Sequence, residues 1–466
     1  MNSSNGELKR TLNFFSVFIL GLGLLVPTSA FFVFGIASQI TNGHVPAVYV
    51  FATVAILFTV LSYAKMSKVY PKAGSAYTYV QQTFHPNIGF LVGWGALMDY
   101  LFLPLTYVLS VTIYLAPLFP SVPLWIWVVT IMTIITLSNL FNVKIAVSFT
   151  TLLIIIQLIT IVLFVILLIH YQSVQGQEQL ISLHSFYSSS LNAPMLLSGA
   201  VIVAYTFIGF DAVSTLAEET HNPTKTIPKV MLSLALFIGI TYVILTYFMQ
   251  TAFPDVTIFS NPDGVAFEIA QTIGGMLFSS FFLGVVIASC LVGGVSAQMG
   301  ISRLLFAMGR DRVLPNKVFG YLHPKTGIPV FNIVLTGVFG GLLSLYLTLD
   351  QVASIISFGA YIAFTFVNLC VIRHYYFKQR NHSVKGVLQY VLLPLLGIIF
   401  IALMWYNISH IALVLGAVWN SLGFVILLFL TKGFRKPAPS LAMNDTDNSG
   451  KVIVPLPLEE RIGRNF

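Results

Sequence analysis

Along the chain the apolar residues fall into long runs rather than into the alternation of a strand or the three-and-four spacing of a half-buried helix. Twelve runs, 14-40, 45-65, 88-116, 124-142, 145-169, 194-217, 228-251, 275-302, 328-347, 352-372, 388-406 and 411-431, are each bounded by Pro, Gly, Asn or charge. About 20 apolar helical residues at 1.5 Å each cross the ~30 Å hydrocarbon core of a bilayer. The pattern therefore predicts an all-α polytopic membrane protein with 12 transmembrane helices. Its parts are an N-terminal segment 1-13, a first five-helix half 14-169, a second five-helix half 194-372, two further helices 388-431, and a tail 432-466. The tail is polar and mixed in charge, and from Pro437 it reads as disordered.

Composition agrees. Of 466 residues 57% are apolar and 8% charged, with a mean hydropathy of +0.89, which excludes a set of water-soluble domains. The net charge of +8 would in a soluble protein raise the question of nucleic acid, but its placement gives another answer. All 23 basic residues fall on one side of the twelve runs: Lys9 and Arg10, Lys65 to Lys72, Lys144, Lys225 and Lys229, Arg303 to Lys325, Arg373 to Lys385, and the tail from Lys432. By the positive-inside rule both termini are cytoplasmic. The other side carries Glu178, Asp255, Asp263, Glu268 and Asp350 with no Lys or Arg, a field that would draw cations, although topology selection alone also empties such loops of basic residues. Cys290 and Cys370 lie in separate runs and offer neither a disulfide framework nor a metal pair. The first run is too long for a signal peptide and lacks a cleavage site, so it is expected to be retained.

Two runs are interrupted. The first contains Gly21, Gly23 and then Pro27-Thr28-Ser29, and an interior proline costs a helix ~3 kcal/mol. The sixth contains Tyr205, Phe207, Gly209 and Asp211. Each opens one five-helix half, and paired interruptions at matching positions point to an inverted-repeat transporter, because half-helix ends expose backbone groups that can hold a solute. Ordinary kinks are the bland alternative.

Of 15 acidic residues only Asp99 and Asp211 are expected within spans, and an intramembrane carboxylate is by default a candidate for cation binding or proton carriage. Around Asp99 a polar stripe of Gly95, Thr106 and Ser110 follows helical spacing, flanked by Tyr100 and Tyr107, and aromatic faces beside carboxylates suit an ammonium group. Enzyme signatures are missing, since no HxxxH pair and no complete dinucleotide fingerprint occurs. Nothing calls for a cofactor or a metal ion.

Several motifs together resemble the amino acid, polyamine and organocation (APC) superfamily: Gly21-Leu-Gly23; Pro71 to Tyr79 around Gly74-Ser75; Phe207-Ile-Gly209-Phe210-Asp211; Glu218-Glu219 to Pro223, with Pro228; and Ser302-Arg303 to Asp311, with Pro315. The resemblance implies a LeuT-like fold with spans 1 and 6 interrupted, a central site between spans 1, 3, 6, 8 and 10, and alternating access usually driven by protons. Amino acid carriers of the superfamily commonly have Gly-(Ser or Ala)-Gly at the first break, whose amides hold a carboxylate; here Pro27-Thr28-Ser29 stands instead. Gly43 to Pro46, Gly93-Trp94, Asp99 to Pro104 and Gly209 to Val213 are similar to the superfamily's putrescine importers. Span 5 lacks the lysine that some proton-coupled members carry.

The expectation is a secondary active importer of a small cationic amine, putrescine foremost, in a bacterial cytoplasmic membrane. Pro27, Thr28, Ser29, Asp99, Tyr100, Tyr205, Phe207 and Gly209 would bind substrate and Asp211 would couple to protons. The partners are the amine or amino acid, the proton and the lipid bilayer, with no nucleic acid. An amino acid permease or exchanger is the alternative, and a non-transporting membrane sensor a remote one.

Overall fold

The computed structural model describes residue 10 and residues 12–72, 74–140, 146–175, 182–259, 262–310, 313–323 and 328–438. The expected disordered tail beyond Ala438, most of the 1-13 segment, Lys144 and Glu178 lie outside these residues. The first series of helices is α1 (Phe14–Leu25), α2 (Ala30–Ile40), α3 (Val45–Val69), α4 (Ser75–Thr83), α5 (Pro86–Leu115), α6 (Leu124–Leu140) and α7 (Ala146–Val174). The second is α8 (Ala193–Ala204), α9 (Pro223–Ala252), α10 (Val265–Arg310), α11 (Asn316–Phe319), α12 (Val330–Leu343) and α13 (Leu349–Val371), followed by α14 (Val384–Val387), α15 (Leu393–Tyr406) and α16 (His410–Leu430).

Among the described residues ten helical stretches are long and apolar enough to cross a membrane, and the shorter apolar α6 and α12 stand where the fourth and ninth spans are expected. The expected interruptions are both present. α1 and α2 are separated by Val26 and a 3-10 turn Pro27–Ser29, and α8 gives way to short 3-10 segments Tyr205–Phe207 and Asp211–Glu219.

Several boundaries differ for local reasons. α3 continues past 65 to Val69 because Lys65 need not end it: its ammonium donates to the Gln389 carbonyl and lies over the Tyr390 ring, 4.9 Å from the centroid. α9 begins at Pro223 rather than 228, since a proline near the start of a helix loses only amides that have no partner there. α13 starts at Leu349 on a capping box of Thr348 and Gln351, which puts Asp350 in its first turn and not in a loop. The helical run of α10 is broken at Gly275 (φ 65°, ψ −165°), the residue at which the eighth run is expected to begin, with a further helical piece ahead of it in the same apolar stretch Val265–Phe306.

Burial separates inside from outside. In the most apolar windows of the two interrupted stretches 78% of residues are buried, against 17% in α16, so the broken helices form the centre and α16 the lipid-facing rim. Glycines bring the central helices together: a Cβ on Gly359 of α13 would lie 2.8 Å from the Asp99 amide nitrogen and the Gly95 carbonyl of α5. At the rim Trp94 of α5 and Trp419 of α16 each donate the indole N–H to the other's backbone carbonyl at 2.8 Å, with rings stacked 5.0 Å apart. A buried amide network ties α6, α10 and α12: Asn139 donates to Gln298, and Gln298 to Thr136 and to the Ile333 carbonyl. Leu12, ahead of α1, pairs in a parallel bridge with Thr220, its amide on the Glu219 carbonyl and its carbonyl accepting from His221.

Candidate functional site

The pivot of the first break is Val26, at φ 49° and ψ 90°, a region β-branched residues rarely enter. Pro27 then starts the 3-10 turn. The backbone groups it frees are taken up by neighbours: Tyr107 of α5 donates to the Leu24 carbonyl at 3.1 Å, and the Tyr242 hydroxyl of α9 lies 2.7 Å from Ser29 Oγ and 3.5 Å from the Val26 carbonyl. Thr28 donates to Gln157 of α7 at 3.4 Å. The Val26 amide is spent on Leu22, the Ser29 amide on Val26, and Pro27 has none. A carboxylate arriving here finds three of the four amides of Val26 to Ser29 absent or engaged.

The second break turns on Gly209 at φ 116°, a conformation open to glycine alone, and its Cα side faces the Leu24 carbonyl of the first break. Tyr205 and Phe207 form the preceding 3-10 turn; Phe207 packs on Tyr49 and Tyr242, with ring centroids 6.3 and 5.8 Å away. Asp211 opens the following 3-10 segment, where the backbone amides of Gly209, Asp211 and Ala212 face its carboxylate. Tyr100 donates to the same carboxylate at 3.5 Å.

Asp99 is 4% exposed, as is Asp211, and the two are close enough to interact through their charges. Among the described residues no hydrogen bond reaches the Asp99 carboxylate. A buried carboxylate in that position is costly unless a cation or a proton joins it. Asp99, Tyr100 and Asp211 thus form one cluster, walled by Tyr63 and Tyr79.

On the other side of the breaks a cavity of about 20 Å³, room for a single water molecule, opens between α1, α5 and the second interruption. Ser29, Thr106, Ser110 and Tyr205 line it together with Leu24 and Tyr107. The structure therefore divides the expected site residues: Asp99, Tyr100 and Asp211 at one pole, Ser29 and Tyr205 at the other, with Thr28 turned to α7 and Phe207 to α9. Gln157, Tyr242 and Gly359 were not legible as site residues. Each is an ordinary member of an apolar helix whose partner lies far away in sequence; the 2.0-to-3.6 periodicity of the chain carries no sign of it.

The model of the family described as amino acid permease matches residues 16–453. The low-affinity putrescine importer PlaP of Escherichia coli strain K12 is 39% identical over 441 residues, covering 94% of this chain and 97% of that one. The branched-chain amino acid permease BcaP of Bacillus subtilis is 26% identical over 93% of this chain and 96% of its own length. Among solved structures, MhsT in complex with L-phenylalanine superposes with a TM-score of 0.59 at 16% identity, covering 86% of this chain and all of that one, a likeness of fold alone.

Proposed function

The chain belongs to the amino acid permease family, a multi-pass membrane transporter of the amino acid and polyamine class and not an enzyme, and from that premise we propose that it imports putrescine or a closely related small diamine. The observation that carries the reading is the Asp99 carboxylate, buried on α5 within reach of the Asp211 charge and without a hydrogen-bond partner among the described residues. An ammonium group supplies the charge and the donors that this carboxylate lacks. The engaged amides of the first break, with proline in place of one of them, weigh against an α-carboxylate. The identity to the E. coli putrescine importer supports the same substrate.

In this reading Asp99 binds an ammonium, with the Tyr100 ring beside it, and Asp211 carries the proton that drives import. Asp211 suits coupling because it stands at the break itself: the backbone that must rearrange when the site changes its access also presents amides to that carboxylate. Thr28 and Ser29, bonded to α7 and α9, pass the rearrangement of the first break to the helices around it, and Gly209 gives the second break its freedom. Pro27 sets selectivity by withholding an amide. In this reading both termini face the cytoplasm, which the placement of Lys and Arg supports, and the protein resides in the cell membrane.

Competition of labelled putrescine uptake by a panel of diamines, spermidine and amino acids tests the proposal. Strong competition by diamines supports it. A panel in which amino acids alone compete overturns it in favour of an amino acid permease, the activity named for the B. subtilis relative.

A further inference from the structure

The two ends of the first interrupted span are held in different ways. At the start of α1 the bridge between Leu12 and Thr220 supplies two backbone hydrogen bonds, of 2.9 and 2.8 Å. At the far end of α2 side chains take their place, His44 foremost. We infer that His44 is a latch: its imidazole fastens the loop 182–192, between α7 and α8, to the end of α2, and release of its bond to Ser188 lets that half-helix swing away and open the site on this side. The latch requires only that the chain is a transporter, whatever its substrate.

His44 is fully buried, and both of its ring nitrogens are engaged. Nδ1 lies 2.7 Å from the Thr41 carbonyl, which can only accept, so Nδ1 carries a proton. Nε2 is then the acceptor, and Ser188, whose Oγ lies 2.8 Å away, donates to it. The Ser190 amide at 3.3 Å and the Ser190 hydroxyl at 2.7 Å face the same Ser188 oxygen. Thr41 is the residue that ends α2; its hydroxyl accepts from the His44 amide at 3.3 Å and donates to the Ala37 carbonyl at 2.6 Å. One imidazole thus joins the loop to the last turn of α2 by bonds in series. Because the break at Val26 separates α2 from α1, the half-helix can move on its own.

The surroundings are arranged so that this bond is the one to let go. The loop is anchored separately on α9, where the Tyr247 hydroxyl accepts from the Ser182 amide at 2.8 Å and the Tyr247 ring stacks on Phe186, centroids 5.4 Å apart. α2 has its own tie to α9, from Ser38 to Gln250 at 2.8 Å, and its end abuts α8, where a Cβ on Gly199 would stand 2.6 Å from the Thr41 side chain. Among the described residues no hydrogen bond other than that of Ser188 to His44 joins the loop to the turn 41–44; the exposed His184 ring adds a tilted contact to His44 at 5.8 Å. Phe32 of α2 lines the cavity between the breaks, so a movement of α2 is felt at that cavity.

Amide hydrogen exchange of the full-length protein in lipid nanodiscs tests the latch without any substrate. An Asn side chain puts an amide where Nδ1 stands and a Gln side chain puts one where Nε2 stands, so His44→Asn keeps the bond within the turn and gives up the loop, whereas His44→Gln keeps the loop. His44→Asn and Ser188→Ala are expected to speed exchange about fivefold, the loss of one neutral hydrogen bond, in 182–192 and in 37–44 together. His44→Gln is expected to stay within twofold of wild type, and the amides of Leu12 and His221 to be unchanged in all three. In liposomes taking up labelled putrescine, His44→Asn and Ser188→Ala are expected to lower apparent KM and Vmax together, since a site that waits open binds readily and closes slowly. Exchange that rises in the loop alone, or equally in His44→Asn and His44→Gln, overturns the latch. So does wild-type exchange in Ser188→Ala, a variant that leaves the buried imidazole in place.

Discussion

Tyr100 donates its phenol proton to the Asp211 carboxylate across 3.5 Å, and its neighbour in sequence is Asp99. The helix that carries one intramembrane carboxylate therefore also grips the other. A displacement of α5 against the second break is felt at both residues at once, which is the physical basis for linking the occupancy of one to the protonation of the other.

The first prediction concerns that link. Asp211→Asn keeps the shape of the side chain and removes the proton it can carry. In liposomes this variant is expected to lose accumulation driven by a pH gradient while retaining binding or substrate-for-substrate exchange. Gradient-driven accumulation at the wild-type level would move the coupling role to Asp99.

Asp99→Asn removes the charge that holds an ammonium. A charge-assisted hydrogen bond is worth ~1.5–3 kcal/mol, so the apparent KM is expected to rise roughly ten- to hundredfold. A monoamine and a diamine each place one ammonium at this carboxylate, so both should lose affinity. A KM within twofold of wild type for both compounds would remove Asp99 from the site.

Pro27→Gly restores an amide to the first break and frees its backbone. Amino acids are expected to gain as competitors of putrescine uptake, with protein abundance near that of wild type. An unchanged competition profile would show that this turn does not choose between a carboxylate and an amine.

Gly359→Ala tests the packing that places Asp99. The added Cβ would meet the backbone of Asp99 and Gly95 at 2.8 Å, so α13 and α5 must move apart. Overpacking of this kind costs about 1–3 kcal/mol. A lower thermal unfolding temperature in detergent is expected, together with a raised KM. Wild-type values of both would mean that the two helices slide freely past each other.

What could be read from the chain divides along physical lines. Pro27 and Gly209 announced the two breaks because each conflicts with the helix around it, and Asp99 and Asp211 stood out because charge is rare in apolar runs. Helix ends were less legible, as Lys65 shows: a charged residue looks like a boundary until a ring and a carbonyl from the segment between α14 and α15 receive it. The partners of the breaks were not legible. Tyr107, Tyr242 and Gln157 differ from other polar residues in the spans only in what they touch, and Ser29 meets Tyr242 across 213 positions of sequence. Ser110 lay on the expected polar stripe, but the hole in front of it exists only after α1 and the second break have closed around it.

The parallel bridge between Leu12 and Thr220 has a practical side. Thr220 directly follows the 3-10 segment that begins with Asp211, so the bridge at Leu12, just ahead of α1, holds the far end of the segment that carries the carboxylate. An affinity tag fused just before Leu12, or a truncation that removes it, pulls on that segment, whereas a tag at the other end of the chain is not fused to it. Expression trials that compare the two ends are then already an experiment on transport, and purification handles belong at the C-terminus.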